Sequence, residues 1–188
     1  MKFIKTEIPE VVLCKPTVFN DDRGYFFESF KKNTFENFIG YPVNFCQDNE
    51  AKSTKGVLRG LHYQLPPFAQ SKLVRVVKGS VLDVVVDIRK NAPTFGKYIA
   101  IEISEENKYQ LFIPRGFAHG YVGLSDEVIF MYKVDNYYNQ EAERGIIYND
   151  NFLGIDWKLD EKELIISEKD KAQPLFKNAD IFENNKTY

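Results

Sequence analysis

Histidine and cysteine are both scarce in this chain. It has two of each in 188 residues, with a single tryptophan. Cys14 and Cys46 make neither a disulfide framework nor a zinc-ligand spacing. His62 and His119 are far apart in sequence with no His-x-His pair, so the usual two- or three-histidine metal site is not expected. Charge of one sign is lacking too: 25 Lys plus Arg against 27 Asp plus Glu give a formal net charge of −2. That is no electrostatic footprint for nucleic acid or an anionic membrane, and any anionic ligand must be met by a local cation cluster. Long apolar runs are missing as well. The longest is Val128–Tyr132, far short of the roughly 20 residues that span a bilayer. Lys2, Lys5, Glu7 and Glu10 interrupt Met1–Cys14, so no secretory segment is expected and the chain reads as cytoplasmic. There is no glycine-rich phosphate loop and no nucleophile elbow.

Aromatics, in contrast, are plentiful, with 16 Phe and 11 Tyr, which leans toward β-structure. Short β-branched or aromatic runs are expected as strands at Val11–Phe19, Tyr25–Phe30, Val43–Asn49, Gly56–Gln64, Lys72–Lys78 and Val81–Ile88. Others follow at Lys97–Ser104, Tyr109–Pro114, His119–Leu124 and Glu127–Val134. Gly79-Ser80 predicts a tight hairpin. In Val81–Ile88 the alternation puts Leu82, Val84, Val86 and Ile88 on one face, with Asp83 and Asp87 on the other. A short helix is expected over Lys31–Ile39, ended by Gly40, and a helical turn near the end of Trp157–Lys171. About ten short strands with turn punctuation predict an all-β sandwich or jelly-roll barrel with a few short helices. The expected organisation is one domain over 1–176 and a loosely held tail over 177–188.

A lone histidine in a strand is usually a core residue satisfied by a carbonyl. The context of His62 argues otherwise, because Arg59, His62 and Gln64 put three polar groups into one strand that otherwise reads as buried. Such a strand is costly unless it lines a wet cavity. Alternation places His62 and Gln64 on one face, and a bulge at Gly60 would bring Arg59 round beside them. Gln47 and Asn49 point the same way, Lys72 shares a face with Val74 and Val76, and Tyr132 shares one with Phe130. For His119 and Tyr132, core packing is the competing explanation.

At Arg59–Gln64 the sequence resembles the dTDP-4-dehydrorhamnose 3,5-epimerase family of nucleotide-sugar epimerases. The ordered matches run from about Val11 to Phe176. They include Asp22-Arg23-Gly24-Tyr25-Phe26-Phe27-Glu28, Gln47-Asp48-Asn49 and Gly56-Val57-Leu58-Arg59-Gly60-Leu61-His62-Tyr63-Gln64. Gln70–Arg75, Pro93–Gly96, Ile113–Gly120, Tyr132-Lys133 and Ser167–Asp170 complete the set. Pro114-x-Gly116-x-x-His119 is also similar to a cupin signature, implying a cupin-type jelly roll. Glu50 and Ala51 stand where His and Ser are common in the family, and Tyr148 where Trp is common.

The resemblance implies an isomerase, working without metal or cofactor, on a nucleotide-diphospho-4-keto sugar. C3–H and C5–H are both α to the ketone, so one enolate chemistry inverts either centre. It implies His62 as base with Asp170 as its partner, Lys72 at the enolate oxygen and Tyr132 as the opposite-face acid. Arg59 and Arg23 are implied for the diphosphate. Phe26, Glu28, Gln47, Asn49, His119, Tyr138, Glu143 and Lys169 are implied as further substrate contacts. In the family the Arg23–Glu28 segment reaches the neighbouring subunit's site, which implies a homodimer. The rival expectation is the same reaction, or inversion of one centre, on another 4-keto sugar nucleotide such as a GDP-linked heptose.

Overall fold

A computed structural model describes residues 1–183 of the chain. Its body is two six-stranded sheets packed face to face. In the first sheet the neighbours run Lys2–Lys5, Val12–Lys15, Gln110–Ile113, Lys72–Lys78, Val128–Val134 and Gln47–Ser53. In the second they run Glu143–Gly145, Val57–Gln64, Phe117–Gly123, Ser80–Asp87 and Tyr98–Ser104, with Ile165–Ile166 lying parallel beside Val57–Gln64. All other pairings in the two sheets are antiparallel. This is the expected all-β, jelly-roll class. Among the described residues no helix is long and apolar enough to cross a membrane.

Strand alternation divides the core into three apolar clusters. Val74, Val76, Val81, Val85, Tyr121 and Phe130 fill the space between the sheets. Leu58, Leu61, Leu82, Val84 and Val86 face outward from the second sheet and are covered by Ile146, Trp157, Phe176 and Phe182 from the C-terminal segment. The outer face of the first sheet is covered by the helix Lys32–Ile39, whose Phe35 meets Phe112 edge-on at 4.9 Å. Full burial of Phe35 contributes about 1.5–3 kcal/mol. As expected, Gly40 ends this helix in the left-handed conformation.

Several expectations need correction. Gly79-Ser80 does not close a hairpin: Lys72–Lys78 and Ser80–Asp87 belong to different sheets. Gly79, at φ +76° and where a Cβ would collide with the Glu127 carbonyl oxygen, is the corner at which the chain changes sheet. Asp83 and Asp87 lie on the face opposite Leu82, Val84 and Val86, as read, and both are fully buried because both faces of their strand are covered. Val11–Phe19 and Tyr25–Phe30 shrink to Val12–Lys15 and to a separate two-stranded ribbon, Phe19–Asp21 with Gly24–Phe26. Lys2–Lys5 is a strand that alternation in so short and charged a stretch did not signal. The tail is not loose up to Glu183. Phe182 is buried, and its backbone exchanges hydrogen bonds with Ile88 and Lys90. The rest of the tail, 184–188, lies outside the described residues.

The bulge expected at Gly60 is present, and it shapes the site. His119 pairs with His62 and Tyr121 with Arg59, so Gly60 and Leu61 together oppose the single residue Gly120. The extra residue turns Arg59 to the same face as His62, inward. The two strands touch there: a Cβ on Gly60, whose φ is +142°, would lie 2.5 Å from the Gly120 Cα. Gly60→Ala is therefore expected to destabilise the fold by about 1–3 kcal/mol. A thermal melt of the variant checks this, and an unchanged midpoint would show that the strands can separate freely.

Candidate active site

The inward face of the bulged strand opens on a cavity of about 570 Å³. A second lobe of about 390 Å³ shares His62, Lys72 and Tyr132 with it. His62 stands on the second sheet. Its Nε2 lies 2.6 Å from Oδ1 of Asp170, which the short helix Glu168–Lys171 delivers. Ser167 caps that helix by accepting the Asp170 N–H at 3.1 Å. The parallel pairing of Ile165–Ile166 with Val57 and Leu58 fixes the approach. Burial pushes the Asp170 carboxyl up, but hydrogen bonds and charge from His62, with the Gly60 N–H and Ser167, hold it below its ordinary value. An ionised carboxylate only accepts hydrogen bonds, so Nε2 of His62 must carry the proton. Nδ1 is then left with a free lone pair, and His62 is a base of fixed tautomer.

Lys72 and Tyr132 come from neighbouring strands of the first sheet, across the cavity from His62. Burial pulls the Lys72 ammonium down to about 8, with Asp83 and Glu143 opposing the shift. Burial also raises the Tyr132 phenol, reinforced by Tyr121 and opposed by Arg59. The cavity thus has an imidazole base on one wall, a phenol on the other and a buried amine between the sheets.

Arg59 is clamped at one side of its fork, donating from Nε to Ser53 Oγ at 3.2 Å and from Nη2 to the Lys52 carbonyl at 3.2 Å. At the rim, Glu143 accepts from Tyr138 at 2.9 Å and from Lys169 at 2.6 Å. Gln47 and Asn49 line the second lobe, bonded to each other at 2.7 Å. His119 lines the main cavity, buried, with Nε2 against Asp83. Gln64 has a supporting role: its amide spans the Phe68 and Tyr137 carbonyls and the Asn139 N–H, fastening the loop that carries Tyr138.

Arg23, Phe26 and Glu28 are not brought to this cavity. They lie on or just beyond the separate ribbon, where the Arg23 side chain is 90% exposed and paired with Asp21, and Phe26 is 70% exposed. Three contributors escaped the sequence reading. Ser53 and Tyr121 bond each other at 3.1 Å behind Arg59, and Asp83 lies beneath His119. The signal for Asp83 was an acid inside an otherwise apolar strand, which the sequence reading placed on a face without giving it a partner.

A family model described as dTDP-4-dehydrorhamnose 3,5-epimerase matches residues 5–178. An enzyme of that name from Shigella flexneri is 54% identical, the match covering 97% of this chain and 99% of the relative. The crystal structure of the Elizabethkingia anophelis enzyme of the same name superposes with a TM-score of 0.92 at 50% identity, covering 95% of this chain and 97% of that one. A Legionella pneumophila dTDP-6-deoxy-D-glucose-3,5-epimerase, solved in complex with dTDP-4-keto-L-rhamnose, superposes with a TM-score of 0.91 at 46% identity over 95% and 94% of the two chains. The bulged His62 strand, its Asp170 partner and this near full-length likeness place the chain in the dTDP-4-dehydrorhamnose 3,5-epimerase family.

Proposed function

We propose that this protein inverts C3 and C5 of dTDP-4-dehydro-6-deoxy-D-glucose, giving dTDP-4-dehydro-L-rhamnose. The observation that carries the reading is that His62 with Asp170 and Tyr132 stand on opposite walls of one cavity, with Lys72 beside them. His62 Nδ1 takes the proton from the carbon next to the ketone, and the electron pair moves onto the carbonyl oxygen. Lys72 stabilises the enolate oxygen as its charge develops. Tyr132 returns a proton from the other side, so the centre is inverted. Before the second centre reacts, the imidazolium must lose its proton and the phenolate regain one. Arg59, held at Nε and Nη2, keeps Nη1 for the diphosphate. His119, Gln47, Asn49, Tyr138, Glu143 and Lys169 complete the substrate's surroundings. Neither a metal nor a cofactor is required by this scheme, and the free thiols of Cys14 and Cys46 fit a reducing, cytoplasmic setting. Incubation with the dTDP-linked 4-keto sugar in D₂O is expected to put deuterium on both C3 and C5. Exchange at one carbon only, or only with a GDP-linked sugar, would overturn the substrate assignment.

Arg23, Phe26 and Glu28 are read as serving the cavity of a second copy, in a homodimer. Supporting this, Phe19, Tyr25 and Phe26 are large apolar side chains left exposed on a ribbon that pairs with neither sheet. Arg23→Ala and His62→Ala chains should each be inactive alone. Mixed and allowed to exchange subunits, they should recover about a quarter of wild-type activity, since one site per heterodimer keeps both groups. No recovery on mixing, with heterodimers demonstrated, would sink the shared site.

A further inference from the structure

Asp83 has no part in the scheme above, yet it occupies a costly position. It has no exposed surface, sits between Ile101 and Tyr121 across the second sheet, and points inward with Val81 and Val85. Its two carboxylate oxygens lie 3.1 and 2.9 Å from Nε2 of His119. A buried carboxylate is expensive, and apolar residues of similar volume commonly pack at least as well. His119 stands directly opposite His62 in the strand register, so a second histidine–aspartate pair lies behind the first, deeper in the barrel.

We infer that Asp83 is a positioning residue of this reaction, its buried negative charge keeping Lys72 a cation and holding His119 in the tautomer with its proton on Nε2. The inference rests on Lys72 being the group that meets the enolate oxygen. A carboxylate can only accept from His119, so Nε2 carries the hydrogen and Nδ1 is left as an acceptor for a substrate hydroxyl. Burial presses His119 toward its neutral form, which suits that task, although Asp83 opposes the shift.

The ionisable groups around Lys72 come from every neighbouring strand. They are Asp83 and His119, His62 with Asp170, Tyr132, Glu143, and the cations Arg59 and Lys169. Asp170 is committed to His62, and Glu143 is shared between Lys169 and Tyr138. Asp83 is the acid enclosed with Lys72 away from solvent, where a charge acts at low dielectric. Burial raises the Asp83 carboxyl, while His119 and Lys72 act to keep it ionised, so the two charges support each other.

The test is Asp83→Asn, which keeps shape and hydrogen bonding while removing the charge. The Lys72 side chain is followed by carbon-13 lysine NMR, and turnover by its pH profile. The Lys72 titration and the alkaline limb of kcat should both move down by about one pH unit or more. At pH 8 kcat should then fall about fivefold or more, with KM changed little and the loss smaller near pH 6.5. A loss equal at every pH, with the Lys72 titration unmoved, would mean packing alone and overturn the inference. If the variant does not fold, the wild-type protein decides through the carbon-13 shift of the Asp83 carboxyl: ionised at pH 7 supports the inference, protonated ends it. Lys72→Met separates the two levels. Full activity there would refute the role given to Lys72, whereas an unmoved Lys72 titration in Asp83→Asn refutes only the role given to Asp83.

Discussion

His62→Ala is expected to stop deuterium exchange at both C3 and C5, with turnover lower by roughly 10²–10⁴-fold. In the proposed scheme one imidazole serves both carbons, since the sugar needs only to present each in turn to the same Nδ1 lone pair. Nothing else on that wall can substitute. Asp170 is buried behind His62 and engaged with it, and His119, more deeply buried and paired with Asp83, is assigned to a substrate hydroxyl through its Nδ1. The nucleotide should still bind, because its diphosphate is assigned to Arg59 and not to His62. Exchange by mass spectrometry and nucleotide affinity by calorimetry check the two halves. Wild-type exchange surviving at either carbon would assign that carbon another base.

Tyr132→Phe should separate exchange from inversion. The variant keeps His62, Asp170, Lys72 and the packing of the ring, and loses one hydroxyl. It should still form the enolate and take a proton back from His62 on the original face. Deuterium then enters the substrate while inverted product falls by about 10²-fold or more. Binding should barely change, because the phenol acts in the transition state. The ratio of deuterium uptake to inverted product is the measurement. A ratio equal to wild type would move the acid's role to Tyr138 or to water.

What could be read in advance follows from how each feature is encoded. Alternation over Lys72–Lys78 and Val128–Val134 grouped Lys72 with Val74 and Val76, and Tyr132 with Phe130, and the structure turns those faces inward between the sheets. The bulge was legible because Gly60 sits between polar residues that strict alternation would have split. Alternation divided Ser80–Asp87 into its two faces correctly but could not tell that Asp83 is buried, since that strand is covered on both faces and parity does not separate wet from dry. It also failed at Gly79, where a glycine turn marks a change of sheet, because the local residues are those of a hairpin and only distant pairing distinguishes the two. The pairing of His62 with Asp170 came from the resemblance alone, as no local pattern links positions so far apart. The ribbon carrying Arg23 was likewise legible only as a turn, and its separation from the cavity emerges with the fold.

The segment that seals the outer face of the second sheet also carries Asp170. Trp157, Phe176 and Phe182 dock on the same strand layer whose inner side holds His62. The hydrophobic cover of that sheet and the carboxylate that meets the imidazole thus come from one stretch of chain. During synthesis, the barrel strands emerge from the ribosome well before that segment does. A nascent chain holds its base, amine and phenol early but lacks the group that orients the base. On the roles proposed above, a copy that stops before this stretch is expected to be left greasy on one side and inert on the other.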